Sequence, residues 1–536
     1  MTLGGLAAAV GLVIDDAIVV VENIVLHRDH GESRSDAITK ALKEIRSPLI
    51  GSTITPIVVF IPLMAVSGVT GTFFRALAVT VGVALLSSLV LALSWTPALS
   101  QLLVSGGRHQ EKQGRVMSRV TATYQKSIGL ALAHPVILSV LCVVLVGVSW
   151  LCYSNLGSDL LPAMDEGGFV LDYLTPAGSS LKDTNDILVE VERLIHDVPE
   201  VESTSRRTGL QLGFSPVTEA NTGDFSVKLK TDRERGVDEV ISDIRDRVNK
   251  RFPQLDTDFI QILQDQIGDL TGAPEPIQIK LFSENAELLQ QWAPRVADAI
   301  KTISSVKDVK DGIEDTISGP AITFNIDQGV AARAGFTPQE AELDASALIG
   351  GEPAAVPIIN NGRSYTLRVR FPDSARTSLD TIRNTLLVSG TGQVATLGTL
   401  ANLTSNFGQM EIRRENLQRD VTVSGRFEGV SLGTGMQIVT AKVDSLHLPA
   451  AIRVVYGGLY QEQQSSFRDL LFVLAAAIVL VFIVLLVEFG DFAAPVAILL
   501  SALLSTSGVF FALFITGTTF NISSFMGLIM VIGIVA

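Results

Sequence analysis

Asp15 and Asp16 stand side by side inside an apolar run, Gly11-Leu12-Val13-Ile14-Asp15-Asp16-Ala17-Ile18-Val19-Val20-Val21-Glu22-Asn23. As helix, Asp15 falls about 18 Å along from Leu3, near the middle of a hydrocarbon layer about 30 Å thick. Insertion costs roughly 2.5–3.5 kcal/mol for each carboxylate, so the pair costs about 5–7 kcal/mol before any partner is counted. Groups that expensive face a bundle interior and have a task there. Adjacent positions point about 100° apart, so the two carboxylates can touch different neighbours. Glu22, seven residues on, returns to the Asp15 face. Two close carboxylates in a low dielectric cannot easily both ionise, and a proton carrier needs that behaviour. The plainer alternative is a polar pair that only pins a helix interface.

Other chemistry is sparse. Cys142 and Cys152 lie ten residues apart in one apolar run, roughly 80° out of register, and read as packed thiols. His27 and His30 read as a solvated turn, and the six histidines form no cluster with cysteines. Met164, Met410 and Met436 are too few for a thioether path for copper. No P-loop, dinucleotide fingerprint or nucleophile elbow stands in a credible context. The expectation is a protein that is not an enzyme, with no catalytic residues, no metal site and no cofactor beyond protons as coupling ion.

The elements that must hold the pair are membrane spans. The chain has 536 residues, 47% hydrophobic and only 18% charged, with a mean hydropathy of +0.39. That composition excludes a disordered chain and an ordinary soluble enzyme. The runs Leu3–Ile24, Pro48–Ser67, Phe73–Trp95, Pro135–Tyr153, Leu470–Val487 and Ala493–Ile515 are each long enough to cross a bilayer. Asn521–Ala536 is apolar to its last residue and reads as a span cut short. The start is equally abrupt and carries no signal-peptide pattern. The expectation is the middle portion of a longer polypeptide.

Segments 1–154 and 469–536 together balance eleven basic residues with eleven acids, so the net charge of −14 lies in 155–468. An acidic surface repels phosphate backbones, which argues against a nucleic-acid partner. His27–Arg46 and Ser105–Lys126 each carry five Lys or Arg, and the positive-inside rule places both in the cytoplasm. Residues 155–468 then lie outside, in the periplasm of a Gram-negative cell. The domain reading is: spans with cytoplasmic loop 27–46 in 1–104; a cytoplasmic or interfacial basic helix in 105–133; a span in 134–154; periplasmic porter and docking modules in 155–468; and spans in 469–536. The basic segment either lies along the membrane surface or is a solvated connector.

In the acidic middle, periodicity alternates between 2 and 3.6. Strands are expected at Gly168–Leu174, Val201–Thr208, Phe225–Leu229 and Thr257–Leu263, with helices at Ser180–His196 and Val237–Phe252. That order is β-α-β-β-α-β, a ferredoxin-like unit. A second pass runs through strand Ile277–Phe282, helix Ala286–Ile303, and strands Val306–Asp311 and Ala321–Ile326. Gln328–Phe427 interrupts it, and it resumes with helix Leu432–Leu446 and strand Ile452–Tyr456. The fold class expected is an α-helical transmembrane bundle with a large α+β periplasmic domain of ferredoxin-like modules. Gly5–Ile14 can also be laid without gaps on Gly527–Ala536, an internal repeat of the kind transporters use around coupling-ion sites.

Three tracts together make the sequence resemble the resistance-nodulation-division (RND) efflux transporters. They are Gly11–Asn23, the track Ala37-Ile38 … Glu44-Ile45 … Thr53-Ile54-Thr55 … Phe60-Ile61-Pro62-Leu63, and Ser94-Trp95-Thr96-Pro97-Ala98-Leu99. The resemblance covers essentially the whole chain and implies the segment from the family's transmembrane helix 4 to part of helix 10. It implies a bacterial inner-membrane permease that exchanges protons for small-molecule substrates. The implied partners are two further copies in a homotrimer, a periplasmic adaptor, an outer-membrane channel and the lipid bilayer.

Carried over residue by residue, Asp15 and Asp16 match the family's proton-binding pair, and its partner lysine would fall immediately after Ala536. The Asp-Asp form resembles the multidrug, amphiphile-exporting branch; heavy-metal exporters of the family typically carry one Asp followed by Gly. Residues 209–225 take the place of the family's phenylalanine-rich substrate loop. They offer Leu210, Leu212 and Phe214 without the phenylalanine cluster, which makes Leu212 and Phe214 the substrate-contact candidates. Three alternatives remain: a heavy-metal exporter, a protein-translocation accessory of the same superfamily, and an intramembrane aspartyl protease. The accessory should have smaller periplasmic modules than 155–468. The protease would place its two Asp residues on different helices.

Overall fold

The computed structural model describes residues 2–66, 68–103, 115–209, 219–271, 275–409 and 411–535. Helices α1 (Thr2–Asp29), α2 (Arg34–Phe60), α3 (Gly68–Leu103), α4 (Arg115–Ala133) and α5 (Pro135–Asn155) come first. Then follow β1 (Gly168–Leu174), α6 (Leu181–His196), β2 (Val201–Thr208), β3 (Thr222–Leu229), α7 (Val237–Arg251), β4 (Asp256–Gln261) and α8 (Ile262–Thr271). Next are β5 (Ile277–Phe282), α9 (Ala286–Lys301), β6 (Val306–Lys310), β7 (Ile317–Ile326), β8 (Ala401–Gln409) and β9 (Gln418–Phe427), with short elements between β7 and β8. The chain continues with α10 (Leu432–Asp444), β10 (Arg453–Gly457), α11 (Leu459–Phe489), α12 (Ala493–Thr516) and α13 (Ile522–Val535).

Two compact units form, one from Met1–Phe169, Ile260–Gly312 and Glu415–Ala536, the other from Val170–Phe259 and Ile313–Arg414. In the first, six described helices are long and apolar enough to cross a membrane: α1, α2, α3, α5, α11 and α12. The apolar runs set the spans, but the helices outrun them. Segment 27–46 is mostly helical, with only residues 30–33 outside the helices. His27–Asp29 still belong to α1, and α2 begins at Arg34, capped by the Ser33 hydroxyl accepting from the Asp36 N–H at 3.2 Å. Likewise α11 begins at Leu459, about three turns before the apolar run at Leu470. Hydropathy marks where a helix is lipid-compatible, whereas its hydrogen-bonded ladder continues into water wherever propensity allows.

The bundle core joins Val59 and Leu63 with Leu470, Ala477, Phe525 and Ile529. Small residues let helices approach. A Cβ on Gly5 would meet Thr80 of α3 at 3.3 Å, and one on Gly533 would meet Val59 of α2 at 3.1 Å. Gly11 and Gly527 meet nothing within 4 Å. The two aligned segments thus use opposite members of their glycine pairs for close packing.

The second α+β module belongs to this same unit. Its main strands run β6-β9-β5-β10, with β9 and β10 both antiparallel to β5, β9 antiparallel to β6, and the short strand Arg414–Glu415 also pairing with β9. The third strand of the module is therefore β9, at Gln418–Phe427, and not the expected Ala321–Ile326. Those residues lie in β7, which pairs antiparallel with β8 in the other unit, Ile326 opposite Ala401. Alternation tells which face a strand buries, not which strand it pairs with, and the inserted segment contributed a convincing decoy.

In the other unit the first module's sheet has the order β2-β3-β1-β4, the same arrangement with the corresponding strands. Leu188, Val191 and Ile195 on α6 are fully buried, as the helical period requires, whereas Leu181 in its first turn is exposed. Ile262 and Leu263, expected to end a strand, open α8 instead. Arg235 holds this module with a two-pronged contact to Glu200 (2.6 and 2.7 Å) and a third bond to Asp243 at 2.9 Å. Arg247 adds a bond to Asp243 at 2.7 Å. Hydrogen bonds from Arg235 hold the Glu200 carboxyl below the usual range, and Arg247 followed by Arg235 does the same for Asp243. Depressed carboxyl values stabilise the fold above the unfolded-state range and lose that contribution as pH falls. Thermal unfolding should therefore be insensitive to pH above about 5 and drop progressively below about 4, and Arg235→Gln should flatten that drop.

Candidate functional site

The pair sits where α1 meets α2 and α3. Ser88 on α3 donates to the Val13 carbonyl of α1 at 2.8 Å, which fixes the two helices one turn before the carboxylates. Asp16 is buried, with 8% of its surface exposed, while Asp15 on the neighbouring face is exposed. Only one of the two adjacent acids is thus enclosed by α2 and α3.

Thr53 on α2 is the direct neighbour of Asp16. Its hydroxyl donates to the Leu49 carbonyl at 2.8 Å and lies 3.5 Å from Asp16 Oδ1. A hydroxyl has one hydrogen, which Thr53 can give either to the helix carbonyl, at the shorter distance, or to the carboxyl. The Ser88 hydroxyl adjoins the same carboxyl. Asp16 Oδ2 is buried without a hydrogen-bond partner, and among the described residues neither Asp15 nor Asp16 forms an ion pair. These hydroxyls can donate to a carboxylate or accept from a carboxylic acid. Each hydroxyl already donates to a helix carbonyl, so accepting from the carboxylic acid needs no movement, whereas donating to the carboxylate needs only a rotation of the O–H.

The remaining candidates fall out differently. Leu210, Leu212 and Phe214 lie outside the described residues. Glu22 is exposed on α1. Cys142 and Cys152 are free thiols. Among the described residues no three His, Cys, Asp or Glu side chains are grouped as a metal site. His27 departs from its reading as a solvated turn. Its ring lies between Glu32 and Glu44 at 3.3 and 3.1 Å, with only 14% of the side chain exposed. Glu44 arrives from α2, so nothing local to His27 announces the contact. An apolar groove of 950 Å³ also runs between α5 and α12, lined by Cys142, Trp150, Tyr153, Leu503 and Phe510 among others.

Comparisons with known proteins bear on the whole chain. The Cobalt-zinc-cadmium resistance protein CzcA of Cupriavidus metallidurans is 26% identical over 557 aligned residues, covering 100% of this chain and 52% of that protein. The Swarming motility protein SwrC of Bacillus subtilis is 25% identical over 547, covering 100% of this chain and 50% of that protein. The crystal structure of a heavy metal efflux pump superposes with a TM-score of 0.78 at 26% identity, over 98% of this chain and 52% of that one. The chain spans about half the length of the relatives it matches. The sequence model of the AcrB/AcrD/AcrF family matches residues 1–536. With its helical spans, paired α+β modules and full-length family match, the chain belongs to the AcrB/AcrD/AcrF family of RND efflux permeases.

Proposed function

We propose that this chain is part of a proton-driven exporter that moves amphiphilic small molecules out across the Gram-negative envelope. The observation that carries the reading is Asp16, a carboxyl buried within an apolar span-length helix, with the Thr53 hydroxyl beside it and one oxygen left without a partner. Protonation from the side opposite the basic segments removes the charge that α2 and α3 must accommodate, and the helices shift. The α+β modules then open and close a substrate path, a population shift driven by the proton gradient. Asp15 completes the acidic pair. The complex acts in the inner membrane as a homotrimer with a periplasmic adaptor and an outer-membrane channel. The consecutive Asp15-Asp16 pair and the apolar α5–α12 groove favour an amphiphilic substrate.

A second reading is favoured by relatives named for cobalt-zinc-cadmium resistance and cation efflux: export of divalent metal cations. A deletion strain separates the two. Complementation that restores growth on bile salts or cationic dyes, but not on cobalt, zinc or cadmium salts, supports amphiphile export. The reverse pattern establishes metal export. In either case Asp16→Asn should abolish the rescue.

A further inference from the structure

Asp16, Asn23 and His27 lie on one face of α1, within about 20° of a common line, because seven and eleven residues are close to whole numbers of turns. They are spaced about 10 and 6 Å apart along the axis. The upper two carry unused polar atoms: Asp16 Oδ2 and Asn23 Oδ1 are both buried without a partner. At the lower end the two ring nitrogens of His27 face different carboxylates, Nδ1 that of Glu32 and Nε2 that of Glu44. Only the imidazolium has a hydrogen for each; the neutral ring serves one of them.

The surrounding charges are Lys40, 2.8 Å from Glu32, and Arg28, which donates to the Glu32 carbonyl at 2.8 Å. Arg34 turns away to the Gln101 carbonyl on α3, at 3.3 Å. The Lys40 contact holds the Glu32 carboxyl below its usual range, so Glu32 remains an anion facing the ring. Between the Asp16–Thr53 layer and the His27–Glu44 layer the helices are sealed by Val20, Ile24, Ile45, Leu49 and Ala92.

We infer that a proton bound at Asp16 leaves along this face past Asn23 to His27, which releases it on the Glu32–Glu44 side. The inference rests on the proton-driven reading above. Once α1 and α2 part, the Asp16 carboxylic acid gives its proton to water entering beside Asn23 Oδ1, and that water passes a proton to whichever His27 ring nitrogen carries none. The imidazolium hands it to Glu44, Glu32 or bulk water. Asp16 is left as a carboxylate and His27 as the neutral ring. Because the apolar seal lies beside this line, the transfer waits until α1 and α2 part, which keeps proton flow tied to the helix movement. His27 is the release group because it ends the line of polar atoms and its two ring nitrogens face two carboxylates.

The test uses the protein as the cell makes it, in liposomes containing a trapped pH dye, under an imposed pH gradient. Counter-substrate is either a cationic dye or cobalt chloride. Transport-linked proton flux in His27→Gln should fall about tenfold. Imidazole added to that side alone should restore it. Asn23→Leu should fall similarly but not respond to imidazole, which guards against a fold defect particular to His27→Gln. Wild-type flux in both variants, or a loss confined to Glu22→Gln on the neighbouring face, overturns the route. Wild-type flux in Asp16→Asn would instead overturn the proton-driven reading itself.

Discussion

Asp16→Asn should yield a folded, membrane-inserted protein that exports nothing, with transport reduced by at least about a hundredfold. The amide is nearly isosteric and can still meet Thr53 and Ser88, but it cannot bind and release a proton. The same change should raise stability by about 1–3 kcal/mol, because it removes an ionisable group from a buried position in an apolar helix where its Oδ2 has no partner. Opposite signs for activity and stability mark a residue kept for its chemistry. Export assays in cells and thermal unfolding in detergent read the two halves. A loss of transport accompanied by a loss of stability would assign Asp16 to helix packing instead.

Leu49→Asn should have the converse effect: protons crossing without substrate. Leu49 is buried among Val20, Ile24, Ile45 and Ala92, in the apolar layer between the Asp16 and His27 levels. A polar side chain there recruits water and joins the two levels while the helices are still together. Passive dissipation of a pH gradient should accelerate about tenfold, with coupled export falling as the gradient is lost. The lost apolar packing should cost about 2–4 kcal/mol. Leu49→Met conserves volume and should leave both leak and export near wild type. A Leu49→Asn protein with unchanged leak would mean that the seal lies elsewhere.

Much of the fold was legible in the residues, for physical reasons that also explain the misses. Span positions follow from apolar length, and β1 coincides with its alternating run because a half-buried strand must alternate, while β2 and β5 fall where strands are expected. Helix ends beyond the apolar runs escaped detection, since α2 before Pro48 and α11 before Leu470 are polar helix with no lipid-length signature. The exchange of β7 for β9 arose because strand pairing is decided by contacts across more than a hundred residues. At the site, Asp15 and Asp16 are equivalent in sequence; only the packing of α2 and α3 encloses Asp16 and leaves Asp15 exposed. The role of His27 was hidden for a related reason. Its two carboxylate neighbours lie five and seventeen residues away, one of them on the next helix, so it reads locally as a surface turn.

That Asp16 takes up and gives back the coupling proton can be observed without knowing the substrate. Infrared difference spectra recorded across a pH titration of the membrane-reconstituted protein would report the carbonyl stretch of a protonated carboxyl. A titrating band is expected in the wild type and should be absent from Asp16→Asn. The same band at full intensity in the variant would place the proton on another group.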